Sequence, residues 1–248
     1  MILIKLGGSV ITNKGRPLTP RRKAIDAIAK VLSRAGEPVI IVHGGGSFGH
    51  YWSVKYDMHT EPKRYKPRGV ATVKNSMAEL DRIVLESLLK GGLDPYCLCP
   101  SALMSGSKPS PKGVREAGEI AKAGMTPVTY GDALWHGQKK TYILSGDRIM
   151  THIARILKPR LCIFALNEDG LYRDIKSREL VREAGSVRAS VSGTDMDVTG
   201  GMARKLKEAG SISRGGTTVF FVNGNKPRRI ADAISGKRFE GTLFRRRR

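Results

Sequence analysis

The chain has 248 residues, of which 40% are hydrophobic, enough for one large α/β domain or two small lobes around a sizeable core. No apolar run reaches the length of about 18 residues that a membrane-spanning helix needs, and the opening MILIKLGGSV lacks the basic start of a signal peptide, so a cytoplasmic, non-membrane protein is expected. The net charge of +22, from 44 basic and 22 acidic residues, calls for anionic partners, yet the aromatics are few and not interleaved with Arg and Lys as a single-strand platform requires, so nucleic acid is not expected as the main partner.

Ile2–Leu6 is predicted as a short apolar strand. Residues 20–35 carry Ile25, Ile28, Val31 and Leu32 at helical spacing, ended by Gly36. Val39–Val42 reads as a buried strand followed by a glycine cluster. A long helix is predicted over Ala71–Lys90, with Met77, Leu80, Ile83, Val84 and Leu88 on one face. Strands are expected at Tyr96–Leu98, Pro127–Thr129, Thr141–Leu144, Leu161–Leu166, Thr217–Val222 and Thr242–Phe244. Helices are expected at Glu116–Ala123, Asp147–Leu157, Gly201–Ala209 and Arg228–Ile234. Ser105–Gly113 and Gly193–Gly200 are the expected mobile loops. This alternation predicts an α/β fold, a mainly parallel central sheet sandwiched by helices in three layers. Cys97, Cys99 and Cys162 have no framework spacing and read as reduced thiols; no metal bound by protein side chains is expected.

Ligands of such folds gather at the carboxyl ends of the strands. Five strand ends here combine Gly with polar neighbours: Lys5–Ser9, His43–His50, Ser145–Asp147, Asn167–Gly170 and Asn223–Asn225. Gly allows the backbone to approach a phosphate closely, and a helix N-terminus offers unpaired N–H groups. Gly44–Gly49 matches G-x-G-x-x-G, but the dinucleotide reading needs a second strand ending in an acid, and Glu61–Tyr65 does not look like one. The Walker A pattern is absent. Two glycine turns suit two phosphoryl groups that face each other. Lys5, inside an apolar strand, is costly unless its charge meets an anion or snorkels at an edge. Lys14 follows the same turn and reads as a phosphate ligand or a solvated loop residue. His50 closes the second glycine segment. Asp197–Gly201 precedes a helix bearing Lys205, a further candidate for nucleotide phosphate. Several Lys and few acids suit phosphoryl transfer to an acceptor that is itself a phosphate, because such an oxygen needs no strong general base.

On these residues the chain resembles the amino acid kinase superfamily, and within it the isopentenyl phosphate kinases. The resemblance rests on Lys5–Lys14, His43–His50, Tyr142–Met150, Asp197–Lys205 and Val222–Pro227. It implies transfer of the γ-phosphoryl group of ATP, with Mg²⁺, to isopentenyl phosphate in isoprenoid biosynthesis, by a homodimer. It further implies catalytic roles for Lys5, Lys14 and His50, and acceptor contacts from Gly45, His50 and Gly146. ATP would be held by Lys5, Gly7, Gly8, Ser9, Gly46, Asn167, Gly201 and Lys205. A single domain is expected, with an acceptor lobe over about 1–157 and an ATP lobe over about 158–248. Two positions depart from the family pattern: Asn167 and Arg148 stand where acids are expected, and Arg148 is expected to add charge beside the bound anions. A phosphonate kinase of the fosfomycin-resistance type on the same fold, and a charge-driven RNA-binding protein, are the competing readings. The acceptor tail is expected against Met77, Leu80, Ile83 or Tyr130, which otherwise are core.

Overall fold

The computed structural model describes residues 1–173, 176, 178–184 and 200–245. Its elements, in chain order, are β1 (Ile2–Leu6), α1 (Gly8–Ile11), α2 (Arg22–Leu32), β2 (Val39–His43), α3 (Gly46–Lys55), α4 (Pro67–Lys90), β3 (Pro95–Cys97), β4 (Met104–Ser105), β5 (Lys108–Pro109), α5 (Pro111–Lys122), β6 (Thr126–Tyr130), β7 (Asp132–Gly137), β8 (Lys140–Leu144), α6 (Gly146–Leu157), β9 (Leu161–Leu166), β10 (Leu171–Tyr172), β11 (Leu180–Val181), α7 (Gly200–Arg214), β12 (Thr218–Asn223), α8 (Pro227–Ser235) and β13 (Gly241–Phe244). A seven-stranded sheet runs β13-β12-β9-β1-β2-β6-β3. All neighbours pair in parallel except β13, which is antiparallel to β12. The expected three-layer α/β architecture is therefore the observed one.

The core divides by sheet face. Ile2, Ile4 and Leu6 of β1 point toward α2, α4 and α8, where Ile25, Ile28, Met77, Leu80 and Ile230 are buried. Leu3 lies on the other face, with Val114 of α5, Ile149 and Ile153 of α6, and Ile212 of α7. Period-two alternation in β1 thus sends Lys5 to the α6 side and Leu6 to the α4 side.

Three segments differ from the sequence expectation. Thr141–Leu144 does not join the sheet: as part of β8 it pairs antiparallel with β7 in a separate hairpin, turned by the left-handed residues Gly137, Gln138 and Lys139. The glycine segment after β2 is not an open loop either. Gly46 adopts φ +47, and Gly46–Lys55 is a helix that buries Phe48. Ser105–Gly113 folds into the β4–β5 ribbon and the start of α5, which Ser110 caps by accepting a hydrogen bond from Gly113 N at 3.2 Å. The other expected loop falls outside the described residues over 193–199, as do Asp197, Val198 and Thr199 of the Asp197–Gly201 segment before the helix bearing Lys205.

Candidate active site

The two glycine turns meet. Gly44 follows β2, and its N–H donates to Leu6 O at 2.9 Å, which draws the β2 end over the β1 end. A methyl group on Gly8 would collide with Gly46 N. One on Gly46 would strike Thr12 Oγ1 and come within 2.6 Å of Gly8 O. Thr12 locks this apposition: its hydroxyl donates to Gly8 O at 2.7 Å and accepts from Ser47 N at 2.9 Å. Glycine is needed at both places because two backbones touch there.

The cavity above this contact measures about 1320 Å³. Lys5, Gly7, Gly8, Ser9, Lys14, Gly45, Gly46, His50, Gly146, Asn167, Gly201 and Lys205 all line it. Four helices begin on it, α1 at Gly8–Ser9, α3 at Gly46–Ser47, α6 at Gly146–Asp147 and α7 at Gly201–Met202. First-turn N–H groups and the positive dipole ends of such helices favour anions.

Its electrostatics centre on one carboxylate. Lys5 Nζ lies 2.8 Å from Asp147 Oδ1, both side chains being almost fully buried, and Arg204 Nε lies 3.4 Å from Asp147 Oδ2. Burial pushes the Asp147 carboxyl upward, but Lys5, Lys205 and Arg204 outweigh it and hold the group below the usual carboxylate range. Lys205 is opposite in sign: burial, then the charges of Lys5, Arg204 and Lys14, pull its ammonium down to about 8 against the help of Asp147. The site is therefore a group of cations with too little negative charge of its own.

Asp147 was visible in Ser145-Gly146-Asp147, yet nothing in its spacing revealed it as the counter-ion of Lys5. Arg148 contradicts its expected role. It is exposed, lies outside the cavity lining, and its charge acts on Tyr142 and His152 instead. Neighbouring residues on a helix point about 100° apart, so Asp147 can face the cavity only if Arg148 does not. Asn167 keeps an acceptor oxygen, but this oxygen takes a hydrogen bond from Asn225 Nδ2 at 3.0 Å. Asp169 faces Asn223, Lys226 and Arg229; burial raises its carboxyl, and hydrogen bonds from these three outweigh that and hold it at about 2.

His50 is exposed and sits on α3 one turn beyond Gly46, rather than closing a loop. Behind it the cavity continues between Val54, Met58, Val73, Met77 and Ile143. Of the expected tail residues, Met77 alone is among this lining. Leu80, Ile83 and Tyr130 are core, and Tyr130 stacks on His43 at 5.2 Å. Asp132 also reaches the cavity, with its carboxylate 2.5 Å from Lys74 Nζ; burial raises that carboxyl despite the lysine. Among the described residues no three His, Cys, Asp or Glu side chains converge to hold a metal ion, and no helix is long and apolar enough to cross a membrane.

Two glycine turns in contact, ringed by helix N-termini and lysines at the carboxyl edge of a parallel sheet, belong to a phosphotransferase. A model of the amino acid kinase family matches residues 1–223, and the chain belongs to that family, whose kinase character implies ATP as phosphoryl donor. It is 34% identical to the isopentenyl phosphate kinase of Thermoplasma acidophilum, over 99% of this chain and 100% of that protein. It is 30% identical to the isopentenyl phosphate kinase of Methanothermobacter thermautotrophicus, over 98% of each. The solved structure of the T. acidophilum enzyme in a product complex superposes with a TM-score of 0.83 at 32% identity, covering 99% of this chain and 100% of that one.

Proposed function

We propose that the protein phosphorylates isopentenyl phosphate with ATP, giving isopentenyl diphosphate for isoprenoid biosynthesis. The observation that carries this reading is the contact of Gly8 with Gly46, which sets the two glycine turns against each other in one cavity whose lining includes His50 together with the apolar Val54, Met58, Val73, Met77 and Ile143. A prenyl phosphate fits that lining: its phosphate reaches Gly45, Gly146 and His50, and its hydrocarbon tail is sheltered by Val73, Met77 and Ile143. ATP occupies the other side, with its phosphates against Gly7, Gly8, Ser9, Gly46, Gly201 and Lys205 and its nucleoside toward Asn167. This divides one continuous sheet into an acceptor part, about 1–157, and a nucleotide part, about 158–248.

The chemistry is positioning and charge compensation. The attacking oxygen of the acceptor phosphate is already ionised, so no general base is required. Lys5 and Lys14 take the charge that spreads over the transferred group, and Asp147 fixes the direction of the Lys5 ammonium. Mg²⁺ accompanying ATP has no ready cage of side chains among the described residues. Asp147 is committed to Lys5 and Arg204, so the ion would be carried by the nucleotide phosphates and would neutralise part of their charge. A homodimer is in keeping with the sheet edge at β3, which leaves Tyr96 exposed. A cytoplasmic location suits the free thiols of Cys97, Cys99 and Cys162.

The test is ADP release across isopentenyl phosphate, dimethylallyl phosphate, longer prenyl phosphates, fosfomycin and UMP. Turnover confined to fosfomycin or UMP would refute the acceptor. His50→Ala should raise the acceptor KM by about 10- to 100-fold, as expected for a lost charge-assisted hydrogen bond, while leaving ATP binding near wild type. Lys14→Ala should act mainly on kcat. An unchanged kcat would make it a surface lysine.

A further inference from the structure

On the sheet face opposite Lys5, the β2 strand ends in a side chain that the phosphate chemistry does not use. His43 is fully buried. Its Nε2 lies 3.1 Å from Asp81 Oδ1, and its Nδ1 lies 3.3 Å from Gly44 O. The second oxygen of Asp81 accepts the Cys97 thiol at 3.2 Å, and Tyr130 stacks on the ring. A peptide carbonyl can only accept, so Nδ1 must carry a proton. The Asp81 carboxyl meets the opposite edge of the ring at Nε2. The ring is then locked from both edges and from one face.

We infer that Asp81 and His43 form a buried positioning pair that holds the Gly44 carbonyl, and through it the Gly44–Gly46 turn, in register with helix α4. Asp81 is 3% exposed and nine residues from the nearest chain end of its helix, so its carboxylate is brought to His43 by the helix itself. Val73, Met77 and Asp81 follow at intervals of four, which puts them on one stripe of α4. The first two wall the apolar recess, and the Met77 sulfur packs so tightly on Gly45 and Gly49 that a methyl at either would come within 3.0 or 2.9 Å of it. One rigid helix therefore sets both the recess for the acceptor tail and, through His43, the turn that receives the acceptor phosphate. His43 and Asp81 are positioning residues, not catalytic ones, since neither lines the cavity. The pair matters for where the phosphate sits relative to the tail.

This inference rests on the assignment of Gly45 to the acceptor, so the experiment separates the two. Wild-type turnover of isopentenyl phosphate is measured first; its absence overturns the acceptor assignment. Asp81→Ala should then raise the acceptor KM about tenfold or more, lower kcat less than about threefold and leave the ATP KM within about twofold. Asp81→Asn, whose amide can still bond Nε2, should recover most of the loss. An unchanged acceptor KM in Asp81→Ala, or acceptor and ATP KM rising together as the melting temperature falls, would overturn the pair's role. Independently of folding in the variants and of any acceptor, ¹⁵N-histidine spectra of the wild-type protein should show a protonated Nδ1 on His43. A proton-free Nδ1 would overturn the inference outright.

Discussion

Lys205 should make ATP binding consume protons. In the free protein its ammonium is depressed to about 8, first by burial and then by Lys5, Arg204 and Lys14. A group with that value is about one-tenth deprotonated at pH 7, about half at pH 8 and about nine-tenths at pH 9. Triphosphate oxygens beside the amine reverse the local sign of charge and restore it to the charged form. Each ATP bound should then take up about half a proton at pH 8 and most of one at pH 9. The sign for folding runs the other way. The unfolded chain, with the lysine near 10.5, binds more protons than the folded one between about 8 and 10.5, so this group's contribution to stability improves as pH rises through that window. The assay is calorimetric titration with ATP at pH 7, 8 and 9 in buffers of different ionisation enthalpy, where the slope of observed heat against that enthalpy counts protons. Lys205→Met, which keeps the apolar stem, should abolish the uptake, and wild-type kcat/KM for ATP should decline above about pH 8. A wild-type slope near zero at pH 9, or one that survives in the Met variant, would refute this account of the site's electrostatics.

Gly46→Ala should fail on two counts, since Gly46 combines φ +47 with contact to Thr12 and Gly8. A loss of about 2 kcal/mol or more in chemical denaturation, with activity at background, is expected; a fully active variant would show that the turns need not touch. His152 supplies a pH-dependent liability. It is 8% exposed, neither ring nitrogen has a hydrogen-bond partner among the described residues, and burial followed by Arg148 and Arg155 lowers it from 6.5 to about 4. Because its folded value is depressed, stability is full above about pH 6.5 and falls as pH drops toward 4, by no more than about 2 kcal/mol after solvent screening. His152→Leu should flatten the melting temperature between those pH values, and an unchanged slope would assign acid sensitivity to other groups.

The alternation of strands and helices, and with it the sheet, is legible because buried parallel strands are continuous apolar runs and the covering helices carry a 3.6-residue period. The helix α3 is hidden for a local reason. Gly46-Ser47-Phe48-Gly49 has poor helix propensity, and the helix exists because Phe48 is buried and Ser47 is bonded to Thr12. Periodicity also cannot distinguish a side chain facing core from one facing a cavity. Met77, Leu80 and Ile83 look alike in sequence, yet the α3–α4 contact opens a recess only at Val73 and Met77. The hairpin of β7 and β8 escaped because Gln138 and Lys139 take left-handed conformations without the Asn or Gly that would announce them. Lys5 stands out in the sequence because a charge in an apolar strand is costly. Its partner Asp147 does not, because an acid in the first turn of a helix is ordinary.

The strand ends also bear on how this site handles two anions at once. Lys5 and His43 terminate neighbouring strands but project to opposite faces, because Lys5 aligns with Val42 and Leu6 with His43. On the α6 face, the buried Asp147 carboxylate makes it possible to keep Lys5 charged away from water and also pairs with Arg204, yet no ion pair of Lys14 or Lys205 with an acid is found among the described residues. On the α4 face, His43 and Asp81 are buried against each other at 3.1 Å, so they add rigidity there. Neutralising the first face with a second acid would stabilise the empty protein, and it would remove the field that offsets repulsion between a nucleotide triphosphate and a phosphorylated acceptor. Under the proposed function, the local excess of positive charge is a cost carried in the free protein and relieved when the two anionic substrates bind. The depressed Lys205 is where that cost becomes measurable.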